Sequence, residues 1–122
     1  AVAISENPTA DIFYSDEDCL TWNGLPFAPQ FKPEFSPDLL DAVPYTSHFL
    51  VMRRTVFQEL GGVRAGYEDA AEYDVSLRAS EAGKRFVRIP RILYRRRASL
   101  SAPSPSLLLS SAITRQHGIA RK

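Results

Sequence analysis

The charges of this chain are segregated along its length. All 14 acidic residues lie within positions 1–81, where only Lys32, Arg53, Arg54, Arg64 and Arg78 oppose them. Positions 82–122 carry Lys84, Arg85, Arg88, Arg91, Arg95, Arg96, Arg97, Arg115, Arg121 and Lys122, and no acid. A chain divided in this way either folds its two parts against each other or offers the basic part to a polyanion. In a compact domain the first arrangement is the ordinary one. The length of 122 residues suits one domain. No helix-turn-helix, zinc or aromatic RNA-binding signature accompanies the basic part, so a nucleic-acid partner is not expected.

Other classes fall away quickly. The single Cys19 cannot close an internal disulfide, which excludes a disulfide-stapled scaffold. No apolar run approaches the ~20 residues of a membrane span. Ala1 to Pro8 lacks the basic start and apolar stretch of a signal peptide. It reads instead as the last turn of a helix, stopped because Pro8 disfavours helical geometry at Asn7. The expectation from that start is a fragment of something larger.

Asp11-Ile12-Phe13-Tyr14-Ser15 is an aromatic and β-branched run and predicts a strand that delivers Asp16-Glu17-Asp18. Cys19 to Trp22 predicts a second short strand, turned by Asn23-Gly24. Pro26, Pro29 and Pro33 predict an extended loop over 25–35. Ser36-Pro37-Asp38 is a helix start, with a hydroxyl cap, Pro at the first helical position and an early acid. That helix should run to about Ala42. His48 to Arg53 predicts a buried strand, and Arg54 to Leu60 a short helix stopped by Gly61-Gly62. Asp69 to Ala82 predicts the longest helix, with an incomplete stripe of Ala71, Val75, Leu77 and Ala82. Asp74 and Arg78 form an i,i+4 pair on it, worth ~0.3–0.5 kcal/mol on a surface.

Two strands are expected at 85–89 and 91–95, separated by Pro90, and a final helix around 105–116. The pattern predicts an α/β fold with a mixed sheet flanked by helices. With few strands visible, an unpaired sheet edge and uncovered apolar surface should follow. The domain boundary is expected at 97, with 98–122 a Ser/Pro-rich linker and terminal helix.

Several segments, in order, resemble the C-terminal, acceptor-side half of a family 2 glycosyltransferase of the GT-A fold. Ala10 to Asp18 looks like that family's aromatic strand and later acidic run. Phe31-Lys32-Pro33-Glu34-Phe35-Ser36-Pro37-Asp38-Leu39-Leu40 matches a phrase common in the branch that builds bacterial surface polysaccharides. Tyr45 to His48, followed by Arg53-Arg54 and Gly61-Gly62, is similar to the strand and helix before the catalytic loop. Gly66 to Arg78 resembles the loop and helix bearing the catalytic acid, and Ile89-Pro90, Leu93-Tyr94 and Arg97 resemble the closing strands. The resemblance spans roughly residues 2–97 and implies an incomplete GT-A-like sheet without the N-terminal nucleotide-binding half.

The resemblance implies inverting transfer of a sugar from a nucleotide-sugar to a hydroxyl of a glycan or lipid-linked acceptor, by a chain inactive alone. It also implies a divalent cation, Mg or Mn, in the complete enzyme. The family's Asp-x-Asp ligand motif belongs to the missing half, so no metal ligand is assigned to Asp16-Glu17-Asp18. The implied location is the cytoplasm, at the inner face of the membrane.

Such a transfer needs one general base and positive charge at the departing diphosphate. The resemblance gives the first role to the leading acid of Glu72-Tyr73-Asp74. Relatives usually carry Asp there, and a misplacement of ~1 Å can cost on the order of 100-fold in rate. Read alone, Asp69-Ala70-Ala71-Glu72 has capping-box spacing, which would turn Glu72 back onto its own helix start. Asp74 lies about 200° around the helix from Glu72 and is expected to be structural, paired with Arg78.

Asp16 and Asp18 fall on one side of an extended chain, with Glu17 opposite. They are either a substrate-binding wall or a solvated acidic turn. Arg97 matches the family's terminal Arg, which would bind the diphosphate; the alternative is a basic strand edge, as expected for Arg95 and Arg96. His48 is expected to be buried and hydrogen-bonded, Trp22 packed, Lys32 solvated and Cys19 without chemistry.

Overall fold

The computed structural model describes residues 2–97. A short helix α1 (Val2–Glu6) leads into strand β1 (Ile12–Leu20). Strand β2 (Pro26–Gln30) and helix α2 (Pro37–Ala42) follow, then strand β3 (Leu50–Met52) and helix α3 (Arg54–Glu59). A 3-10 turn over Glu68–Ala70 opens helix α4 (Ala71–Glu81), and strand β4 (Phe86–Arg97) ends the described chain. The expected helix at 105–116, and the whole of 98–122, lie outside the described residues.

Among the described residues, every other strand pairs with β1. β4 runs parallel along one edge, while β3 and β2 run antiparallel along the other, β3 beside Ile12–Tyr14 and β2 beside Glu17–Leu20. The sheet is therefore mixed, and the α/β expectation holds. Carboxylates are poor strand formers, yet β1 continues through Asp16-Glu17-Asp18, because β4 brings basic side chains alongside. The strand expected from local sequence ends at Ser15, because the pairing that extends it comes from residues far along the chain.

Three further corrections concern proline and backbone sign. Residues 26–30 form β2 despite Pro26 and Pro29, at the edge of the sheet, where a missing N–H costs no ladder bond. Pro90 does not split the last strand. The register passes from Ser15 opposite Ile89 to Asp16 opposite Ile92, so Pro90 and Arg91 bulge out of one continuous β4. β3 is shorter than expected because His48 has φ +81°, which an extended strand cannot include.

One layer of core lies between the sheet and α2 and α4. Ile12 and Tyr14 of β1, Leu40 of α2, Tyr73 and Ala79 of α4 and Phe86 of β4 form it. Phe35 stacks on Phe86 with centroids 4.0 Å apart, and Tyr14 meets Tyr45 edge-on at 5.8 Å. The buried phenols are satisfied: Tyr14 donates to the Pro33 carbonyl at 2.6 Å and Tyr73 to the Leu40 carbonyl at 2.8 Å. Tyr73 was absent from the expected apolar stripe, and it is the largest side chain that α4 buries.

Helix boundaries follow local chemistry. Ser36 Oγ accepts from the Leu39 N–H at 3.4 Å, with Pro37 at the first helical position, as expected; such caps contribute about 1 kcal/mol. α3 stops where Gly61 and Gly62 take φ +83° and +68°. The N-cap residue of α4 is Ala70, which has no side chain to cap with, and Glu72 carries a bond to the His48 N–H. Trp22, expected to pack, is 78% exposed in the β1–β2 turn, and Leu25 and Phe31 are exposed with it.

Candidate functional site

The acidic end of β1 is where the charge segregation resolves. Arg88 of β4 grips Asp16 with two bonds, Nη2 to Oδ2 at 2.7 Å and Nε to Oδ1 at 3.2 Å. The Lys32 N–H adds a third at 2.8 Å. Arg95 Nε lies 3.1 Å from Asp18 Oδ1 as an ion pair, without the alignment of a hydrogen bond. Lys84 reaches Glu59 at 2.6 Å. Among the described residues, the basic strand is thus partnered by the acidic one, the ordinary outcome for such a sequence.

Asp16 and Asp18, candidates for substrate binding, are both buried and both committed to arginines of β4. Arg97 ends β4 opposite Leu20 and is exposed, apart from them. Asp74 is buried between Arg78, 3.1 Å away, and Arg64, whose Nε is 3.0 Å away. Arg78 also donates to the carbonyls of Leu60 and Gly62. The pair expected on a helix surface is in fact part of a three-residue network, with Asp74 buried, Arg78 largely buried and Arg64 partly exposed, that ties the loop after α3 to α4.

Glu72 faces elsewhere. It is exposed in the first turn of α4, and its Oε2 accepts from the backbone N–H of His48 at 3.0 Å. That contact brings it to a cluster that has no local signal in the sequence. The Nδ1 of His48 lies 2.7 Å from Glu17 Oε2. Lys32 donates to the Ser47 carbonyl at 2.7 Å, with its Nζ 4.0 Å from Glu17. Tyr94 of β4 stacks on the His48 ring, 5.7 Å between centroids. The segment 46–48 is pinned at several points, since Thr46 is also buried against Ser76 at 3.4 Å.

Two expectations are reversed here. Lys32 is buried rather than solvated, and the His48 side chain is 39% exposed rather than buried. Neither has a local signal, because both depend on partners 15 and 31 positions away. The left-handed backbone of His48 costs about 1–3 kcal/mol, which the bonds from Glu17 and Glu72 offset.

Burial is the largest influence on the Glu17 carboxyl and would raise its pKa. The His48 hydrogen bond and the charges of His48, Lys32 and Arg96 together outweigh it, so the pKa is lowered. Burial is also the largest influence on Lys32 and lowers its pKa, against the opposing pull of Glu17, Asp16 and Glu72. One ammonium therefore senses three carboxylates at once. Among the described residues no three His, Cys, Asp or Glu side chains converge to hold a metal ion. Asp16 in particular has its oxygens taken by Arg88 and the Lys32 N–H.

No family model matches this chain. It is 42% identical over 102 residues, 84% of its length, to the O-antigen biosynthesis protein RfbC of Myxococcus xanthus. It is 34% identical over 105 residues to the uncharacterized protein y4gI of Sinorhizobium fredii. The chain spans 8% of the first and 12% of the second. It is similar to a small part of two much longer proteins. No helix of the described residues is long and apolar enough to cross a membrane.

Proposed function

We propose that this chain is the acceptor-side part of an inverting, family 2-like glycosyltransferase of bacterial surface-polysaccharide synthesis. The similarity to a protein named for O-antigen biosynthesis supports the polysaccharide role. The single observation that carries the chemistry is the position of Glu72, an exposed carboxylate held by the His48 N–H. In this reading Glu72 takes the proton of the acceptor hydroxyl. The acceptor oxygen then bonds to the anomeric carbon as the bond from that carbon to the departing diphosphate breaks, with inversion.

Arg97, exposed at the end of β4, is proposed to meet the diphosphate. Asp16 and Asp18 act through the arginines they hold, which shape the wall beside the acceptor. The nucleotide-sugar, a glycan or lipid-linked acceptor and a divalent cation remain part of the proposal. The cation would be held by residues other than those described, and work at the inner membrane face belongs to the same reading. The competing reading, a non-catalytic binding module that uses the basic C-terminal third to hold an anionic partner, is disfavoured in the described part of that third because Arg88 and Arg95 are already paired.

The test is sugar transfer by the longest natural polypeptide that carries this chain. Glu72→Gln should lower kcat by roughly 100-fold or more, the range of a lost general base, with donor affinity unchanged. Near-normal turnover would overturn the assignment.

A further inference from the structure

Glu17 and His48 form a unit that the proton transfer above does not use. With Nδ1 2.7 Å from the Glu17 carboxylate, the Nδ1–H donates to that oxygen, and in the neutral ring Nε2 is the nitrogen left to accept. Among the described residues nothing hydrogen-bonds Nε2, and the ring is 39% exposed while its partner carboxylate is 10% exposed. The backbone beneath it is strained at φ +81°, yet Glu72 holds its N–H and Lys32 holds the preceding carbonyl. Tyr94 backs one face of the ring. A strained, oriented and accessible imidazole is the pattern of a group held ready for a ligand.

We propose that the Glu17–His48 pair is a carbohydrate-binding contact, in which His48 Nε2 accepts a hydrogen bond from a sugar hydroxyl and Glu17 fixes the ring's tautomer. The ligand is a neutral polyol. Glu17 and Glu72 flank the imidazole, and Lys32 and Arg96 balance their charge, so no surplus charge is left to hold an anion. A metal ion would need further ligands, and no such cluster surrounds the ring among the described residues. The proposal rests on the sugar-transfer reading only in naming this sugar as the acceptor. His48 would touch it directly, and Glu17 is a positioning residue.

Ring-nitrogen NMR on the 122-residue chain in mildly alkaline buffer tests the tautomer without turnover. The expected result is a protonated Nδ1 and a bare Nε2 in the natural chain, with the opposite tautomer gaining in Glu17→Gln. A series of methyl glycosides, added one at a time, should shift the Tyr94 ring resonances saturably for at least one sugar. His48→Asn, whose side chain tolerates a left-handed backbone, should weaken that binding roughly tenfold, the factor of one lost hydrogen bond. A protonated Nε2 in the natural chain, no saturable shift with any glycoside, or unchanged binding in a folded His48→Asn would each overturn the proposal. If the sugar contact holds but no polypeptide carrying the chain transfers sugar, the transferase reading falls and the carbohydrate contact stands.

Discussion

The carboxylate of Glu72 and the backbone N–H of His48 are bonded at 3.0 Å across 24 positions of sequence. The bond joins the start of α4 to the strained segment before β3, and it decides what each can do. A glutamate turned inward on its own helix would be a cap. Turned toward His48, it is an exposed carboxylate with a fixed direction.

Glu72→Gln keeps an oxygen for that N–H and should change stability by less than about 0.5 kcal/mol. Glu72→Ala removes the acceptor and should cost about 1 kcal/mol, the usual worth of one such bond. Urea denaturation of the two variants measures the difference. Equal losses in both would mean that the side chain is held by something other than this bond.

Asp74→Ala leaves Arg78 largely buried beside an empty acceptor and frees the loop that it and Arg64 hold. Removing one member of a buried ionic network costs about 3–5 kcal/mol. The expected loss of stability is at the lower end of that range, because Arg64 is partly exposed. A loss below 1 kcal/mol in denaturant would show that the network contributes no more than a surface pair.

The lowered pKa of Glu17 sets an acid limb of stability. Its unfolded value lies near 4.5 and its folded value below that, so the unfolded chain binds the proton first as pH falls. The contribution is fully present above 4.5 and is lost as pH falls through the folded value. Thermal melting across that window should show a shallower acid limb in Glu17→Gln than in the natural chain. Superimposable limbs would contradict the shift.

Arg88→Met leaves Asp16 buried with the Lys32 N–H as its remaining partner among those described. The same ionic argument predicts a loss of about 3 kcal/mol. Asp16→Asn in the Arg88→Met background should recover part of it, since a neutral amide is less costly to bury than a lone carboxylate. Denaturation midpoints of the single and double variants form the check. A double variant less stable than Arg88→Met would rule out an unpaired charge as the cause.

Local signals were legible in the sequence and distant pairings were not. Ser36-Pro37-Asp38 announces α2 because cap, proline and acid act within one turn, and Gly61-Gly62 announces the end of α3 for the same reason. The pairing of the acidic and basic parts was visible as composition, though the partners were not. Pro90 misled because a bulge in a parallel pair absorbs what a lone strand cannot. Lys32 and His48 misled because burial, strain and orientation are set by Glu17, Ser47 and Glu72, far off in the sequence. The candidate base was legible through family resemblance, and the cluster beside it was not.

β1 is hydrogen-bonded to every other strand, yet its parallel neighbour arrives more than sixty residues later. Contacts so distant along the chain slow a folding reaction. During synthesis, β1 must therefore wait with one flank bare until the ribosome has released residues 86–97. In that interval its aromatic start and unneutralised carboxylates are open to chaperones and to neighbouring chains, so the last dozen described residues control how long the nascent protein is vulnerable.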